Sequence, residues 1–416
     1  VAAQQTITPQ QAAEAAAKAN TAARNAVLAN AIEALQLVAN ASGLNPATQN
    51  VANIAPRNVG LIRGFYVHVA TVFTTGITTT LNRTTMGPAN LLQLVTFNDL
   101  SNQQRINSQG WYLPYLDTQR RRNQSFSAEL ATGVPGSAAS GVDTPLGFSA
   151  NFTSNLALAA TNTPIMSCPA SIAPSTSNAT VDMWYYVPIS YTDRDLRGAI
   201  YAGVVNSVMT LQITFNAANF QVASTADPTL AVFQSSGAVN AITAQTWSYE
   251  IWQDFLDQLP FSNQGPILPF QDLSWSYLIN TTFFTAMQVG QDYPIPFPNF
   301  RNVQSLTLAY DNSGVMNGGS DINYLALQSA NYTNIFKISP AMSAINTRNI
   351  LHTDMPKGMY YFDFRRKPLS TVQYGNLNLI VNPSNVTVTL PPQFLVGFET
   401  LAMQNQVVGA GSIAGG

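Results

Sequence analysis

The sequence predicts a chain dominated by β-strands folded as sandwiches or jelly rolls, with one long helix ahead of them. Three observations carry this expectation. In Phe65-Tyr66-Val67-His68-Val69-Ala70-Thr71-Val72-Phe73 apolar residues fall on the odd positions, the period of a half-buried strand. Similar short stretches recur along the chain and are separated by Gly, Pro, Asn and Asp clusters, the residues that reverse a backbone. The N-terminal segment, by contrast, is rich in alanine and follows a helical period.

Taken in order, Thr8-Pro9-Gln10-Gln11 opens the helix: a capping hydroxyl, proline at the first helical position and glutamine three after the cap satisfy its free amides. Alanine then dominates to Asn40, and Gly43 with Pro46 supplies the stop, so a rod of about 50 Å is expected. Its later half carries an apolar stripe, Leu28, Ile32, Leu35 and Val38; its earlier half offers mostly methyl groups. Residues 1–48 therefore read as a helical arm, either lying on its own domain or reaching another subunit or a membrane surface, a contact that Lys18 and Arg24 permit.

Strands follow at 65–73, 181–189 and 209–215 in a first block, 49–248, and at 303–310, 359–364, 377–381, 386–390 and 394–398 in a second, 249–399. The boundary is placed where the aromatic SYEIWQDFLDQLP meets the proline-rich FSNQGPILP. No sequence repeat relates the blocks, so a duplication is suggested by strand count alone. Short helices are expected at 193–202 and, opened by Ser339-Pro340, at 340–351. A nearly uncharged stretch at 133–174 reads as an elaborated surface loop, and 400–416 as a flexible tail.

With 416 residues the chain has room for two or three domains, yet only 9% of it is charged against about 25% in ordinary soluble domains. Eighteen basic and 20 acidic residues give a net charge of −2, which argues against direct nucleic-acid binding. One cysteine, Cys168, excludes an internal disulfide, and two histidines do not complete a metal cage by themselves. No apolar run reaches the length of a membrane span, and the N-terminus has no signal-peptide pattern.

Catalytic patterns are sparse. His68 and His352 stand in no catalytic motif; Asp193 and Asp195 flank Arg194 as in a capped helix start with local ion pairing, a paired-carboxylate hydrolase being the alternative, and for Asp254 and Asp257 too closeness in sequence does not set the separation that such chemistry needs. The segment 311–321 looks like a calcium loop, but Met316 and Ile322 occupy the positions that need glycine and glutamate. Phosphate-loop and nucleophile-turn motifs are absent, and no cofactor is expected. Two basic clusters stand out, Arg120-Arg121-Arg122 and Arg365-Arg366-Lys367, as solvated loops or as contacts with an acidic neighbour or anionic lipid. A competing reading is a tandem jelly-roll protein that binds or hydrolyses glycans, using Trp111, Trp184, Trp275 and Tyr293 as stacking platforms and Asp193 and Asp195 as acids.

Several segments resemble the double jelly-roll major capsid proteins of tectiviruses, icosahedral phages with a membrane inside the shell. They are NVGLIRGFYVHV (58–69), GPANLLQLVTFND (87–99), YYVPISYTDRDLRGA (185–199), FLDQLP with ILPFQDLS (255–274), YDNSGVMNGGSDINYLALQSANYTN (310–334) and MPKGMYYFDFRRKPLSTVQYGNLNLIVNP (355–383). The resemblance implies two tandem eight-stranded jelly rolls standing upright in a shell, three chains per pseudo-hexagonal tile, and an N-terminal helix on the inner side near the membrane. It implies no catalytic residue and no cofactor. Partners would be copies of the chain itself, vertex and minor capsid proteins, and the internal lipid membrane; the place would be the virion, assembled in the cytoplasm of a host bacterium. Contact residues expected on this reading are Lys18, Arg24, Leu28, Ile32 and Leu35 of the arm and the two basic clusters.

Overall fold

The computed structural model describes residues 8–403 except 85, 121–165, 170, 204–207, 240–241, 264, 286–287, 313–320, 331–333, 352–357 and 387–391. The helix starts as the sequence predicts: Thr8 caps it, its hydroxyl accepting from the Gln11 amide while Gln11 accepts from the Thr8 amide. It ends early. Helix Pro9–Asn30 gives way at Ala31 to a strand, Ile32–Leu44, which pairs antiparallel with Ile242–Asp257. The expected helix to Asn40 and the helical arm 1–48 are corrected accordingly, and Ile32, Leu35 and Val38 belong to a strand. Helix propensity favours IEALQLVANA by only tenths of a kcal/mol per residue. Pairing with the 242–257 strand, together with packing of Ala34, Val38, Ala39 and Leu44 against the core, outweighs it.

Two jelly rolls follow one plan. In the first, a long-strand sheet runs in the order Ile32–Leu44, Ile242–Asp257, Leu61–Thr75, Ala179–Pro188; opposite it a short-strand sheet runs Val51–Ile54, Thr210–Phe215, Leu92–Asn98, Gln104–Ser108. In the second, the long-strand sheet is Trp275–Thr285, Gln393–Met403, Asn302–Asp311, Met359–Asp363, and the short-strand sheet is Tyr293–Pro296, Leu377–Pro383, Ile322–Ser329, Phe336–Ile338. Numbered by appearance within a roll, both read 1-8-3-6 and 2-7-4-5. Each roll also carries a helix between its fifth and sixth strands, Tyr112–Arg120 in the first and Pro340–Leu351 in the second.

The alternation read from the sequence points one row of side chains into each sandwich. Phe65 meets Phe97 across the first roll with ring centroids 5.6 Å apart, and Phe215 stacks on Trp247 at 5.2 Å. In the second, Phe297 meets Phe398 at 5.5 Å and Tyr293 meets Phe394 at 5.8 Å. Pairing moves three boundaries. The 242–257 strand lies at the centre of the first roll, so the block edge at 248/249 cuts a strand of that roll. Residues 400–403, placed in the flexible tail, complete the 393–403 strand between two partners, and Thr400, Leu401 and Ala402 are buried; 404–416 lie outside the described residues. The helix expected at 193–202 is a series of bends ending in the short strand Ile200–Tyr201. There Asp195 holds Arg197 at 2.6 Å, and Gly198 takes φ +87 against the Tyr277 backbone, where a side chain has no room. Most of the 133–174 loop and all of 313–320 lie outside the described residues.

Candidate assembly surfaces

The first surface is one the chain has already closed, the joint between its own rolls. The edge strand of the first roll's short-strand sheet, 104–108, pairs parallel with the edge strand of the second roll's long-strand sheet, 275–285, through Ile106 with Ile279 and Asn107 with Asn280. One nine-stranded sheet therefore runs through both rolls. The 112–120 helix then lies over the outward face of the second roll's long-strand sheet. Its Tyr112 ring rests on Gly397, where any Cβ would overlap it. Gln119 donates from Nε2 to Thr307 Oγ1 at 2.9 Å, and Arg365 donates from Nη1 to the Gln119 carbonyl at 3.1 Å. Tyr277, Ile279, Ala309, Met359, Leu395 and Leu401, on that outward face, pack into the first roll's core.

A carboxylate sits within this joint. Glu399 is fully buried and accepts from Tyr277 Oη at 2.8 Å, from Ser305 Oγ at 2.6 Å and from Arg365 Nη2 at 2.8 Å. Burial works to lower the Arg365 pKa, but Glu399 and the neighbouring tyrosines outweigh it and leave it well above the ordinary arginine value. Arg365, expected as an external contact, is thus an internal strut, while Arg366 and Lys367 stay exposed on the following turn. Arg121, Arg122 and the Arg120 side chain lie outside the described residues. Glu399, Gln119 and Gly397 give no local signal in the sequence; only the pairing of the rolls reveals them.

The second surface is the N-terminal helix. Its last turns dock where the first roll passes into the second: Asn20 Nδ2 donates to Asp272 Oδ1 at 2.9 Å, Asn20 Oδ1 accepts from the Gln271 amide at 2.9 Å, and Arg24 reaches Asp272 Oδ2 at 3.5 Å. Val27 is buried with Leu61, Leu196, Leu256, Leu259 and Leu268, and Leu28 packs at the rim. Residues 8–19, Lys18 included, are exposed. Among the described residues no helix is long and apolar enough to cross a membrane.

The third surface is the outward face and free edge of the first roll's long-strand sheet. Strand 32–44 pairs on one side only among the described residues, and Ile32 and Leu35 are 52% and 60% exposed. It is held by Arg63, which bridges Glu33 at 2.8 Å and Asp254 at 2.7 Å, with Tyr186 Oη donating to Asp254 at 3.2 Å. Register aligns Leu37, Trp252, Tyr66 and Tyr186 in one row across the sheet, and His68 stacks on Trp184 at 4.6 Å in the next.

The aromatic residues of the glycan reading do not converge. Trp111 is buried at the joint and donates to Gln109, Trp184 lies on the first roll's outward face, and Tyr293 packs on Phe394 in the second core. Asp195 is taken up by Arg197.

Two sandwiches of one topology, fused through a shared sheet, define a double jelly roll. The STIV MCP crystal structure, from Sulfolobus Turreted Icosahedral Virus, matches with a TM-score of 0.59 at 10% identity over 91% of this chain and 99% of that one. The PBCV-1 virus capsid matches at 0.52 with 12% identity over 89% and 94%. Residues 2–259 match the family described as P3 major capsid protein N-terminal, and residues 274–415 its C-terminal counterpart. The sequence is 33% identical over 416 residues to the major capsid protein P3 of Enterobacteria phage PRD1, covering 99% of this chain and 98% of that one. The chain belongs to the P3 major capsid protein family, and it is a structural component of a bacteriophage virion, not an enzyme.

Proposed function

We propose that three copies form a homotrimer of pseudo-hexagonal outline, six rolls from three chains, and that these tiles cover an icosahedral shell around an internal lipid membrane. The observation that carries this reading is the repetition of one roll within the chain, the two joined edge to edge through one sheet. A head-to-tail joint of this kind generates a ring when its rotation closes. The scarcity of charge, 9% of residues, suits a body whose flanks are covered by neighbours, because fewer ions need desolvation on assembly.

The exposed part of the N-terminal helix, with Lys18, faces the membrane side in this reading, and vertex and minor capsid proteins meet the tile at its rims. Arg366 and Lys367 are the exposed cations to test for those contacts, with assembly in the host cytoplasm. Multi-angle light scattering of the purified chain tests the tile: the expected mass is three times the 44.8 kDa chain, stable on dilution as for an obligate interface. A single-chain mass under folding conditions contradicts it. Co-sedimentation with liposomes, lost on removing residues 1–30, tests the membrane contact; binding that survives removal contradicts it.

A further inference from the structure

We infer that Phe300, Arg301 and Val372, at the end of the second roll where the N-terminal helix docks, form a lipid-contact site: the guanidinium takes a phospholipid phosphate while the phenyl ring and the valine enter the acyl boundary. This contact rests on the membrane side proposed above and is separate from that of the helix.

Strand pairing puts these residues at that end. Strand 275–285 begins directly after the short helix Phe270–Leu273, on which Asn20 and Arg24 dock, and its first residue, Trp275, pairs with Met403. Leu401 in turn pairs with Asn302, the residue after Arg301. The Arg301 amide donates to Thr371 Oγ1 at 3.0 Å, and its carbonyl accepts from the Thr371 amide at 3.0 Å. The turn carrying Phe300 and the start of the Thr371–Tyr374 helix, with Val372, are thereby held side by side.

Packing within the second roll explains neither Phe300 nor Arg301. Phe300 has φ +57, a left-handed backbone that a bulky residue adopts at a cost and that glycine or asparagine takes readily, yet its ring is 60% exposed, so the core gains little in return. Arg301 is half-buried and meets no carboxylate among the described residues, whereas Arg24, Arg63, Arg105, Arg197 and Arg365 each reach one within 3.5 Å. Burial alone acts on its charge and pulls its pKa below the ordinary arginine value. A phosphate matches what is missing, because the guanidinium fork can donate two parallel bonds to its oxygens. The surroundings select a lipid phosphate. Val372 is 61% exposed beside the turn, and Phe270 and Phe261 are 71% and 74% exposed on loops that flank the same docking cluster through Leu259 and Leu268. These apolar tips stand on separate loops, as points entering a fluid layer do, with a cation among them for the headgroups.

Co-sedimentation of the full chain with vesicles of equal parts phosphatidylethanolamine and phosphatidylglycerol tests the site. A single apolar anchor binds only marginally, so helix and loops are expected to be needed together. Phe300→Asn, which suits the left-handed backbone, is expected to keep or raise the melting temperature while weakening vesicle binding about tenfold, a combination that a merely structural phenylalanine does not give. Arg301→Gln is expected to weaken binding about fivefold. Val372→Cys carrying an environment-sensitive maleimide fluorophore is expected to shift its emission to the blue on adding vesicles, Cys168 being buried. Wild-type binding by both variants with no shift of emission overturns the site and leaves the helix contact standing, which removal of residues 1–30 reads separately. Full competition by inorganic phosphate indicates a free-anion site and overturns the lipid assignment. A wild type that binds no vesicle overturns the membrane reading itself.

Discussion

The ring of Tyr112, on a helix of the first roll, fills the space a side chain would need at Gly397, at the centre of a strand in the second. The contact fixes how the two rolls sit, because the space of an ordinary side chain is given to the neighbouring roll's aromatic. Beside it Gln119 bonds Thr307 and Arg365 across the joint, and Arg365 pairs with Glu399 on the second roll's side.

Gly397→Val places a branched side chain where the Tyr112 ring stands. Overpacking of this kind costs about 1–3 kcal/mol. Denaturant unfolding is expected to show a lower midpoint, and Tyr112→Leu in the same chain to recover part of the loss, since the two sites touch. Full additivity of the two changes contradicts the contact.

Arg365→Met leaves Glu399 buried with its charge and without its cation, although Tyr277 and Ser305 still donate to it. Removing one partner of a buried pair costs about 3–5 kcal/mol. Arg366→Met, on an exposed neighbour, is expected to change stability by less than about 0.5 kcal/mol. Equal effects in the unfolding curves contradict the internal role of Arg365.

Truncation separates helix from strand. Removing residues 1–30 takes away the docked helix and exposes the small cluster of Leu61, Leu196, Leu256, Leu259 and Leu268, but leaves both sandwiches intact. Removing residues 1–44 also strips the edge strand from 242–257 and the Glu33–Arg63 bridge. The shorter truncation is expected to fold with native near-ultraviolet circular dichroism, and the longer to lose several degrees more of melting temperature. Identical melting contradicts the assignment of 32–44 to the sheet.

Burial pushes the Cys168 thiol up to about 12, with Arg83 opposing in part. The thiolate is the reactive form. At mildly alkaline pH the native protein is therefore expected to leave Ellman's reagent unreduced until denaturant is added. Immediate reaction of the native chain contradicts the buried placement.

Local periodicity carried much of the fold into view. The odd-position face of 65–73, the helix from Ser339-Pro340 and the capping box at Thr8 are all written in adjacent residues and are seen in the structure. Strand 32–44 was hidden because its residues favour a helix and its strand character comes from a partner two hundred residues away. The joint was hidden for the same reason: Glu399 is one acid in an apolar strand until Arg365, Tyr277 and Ser305 are brought to it. The duplication shows in pairing order and not in residue identity, because a sandwich needs only alternation of roughly suitable size. The site residues proposed on the arm fell in three places, Lys18 on the exposed part of the helix, Arg24 and Leu28 at the docking cluster, and Ile32 and Leu35 on the free sheet edge.

Electron cryomicroscopy of the purified oligomer tests the central claim most directly. A closed particle of six similar lobes with threefold symmetry is expected. A two-lobed single chain contradicts it.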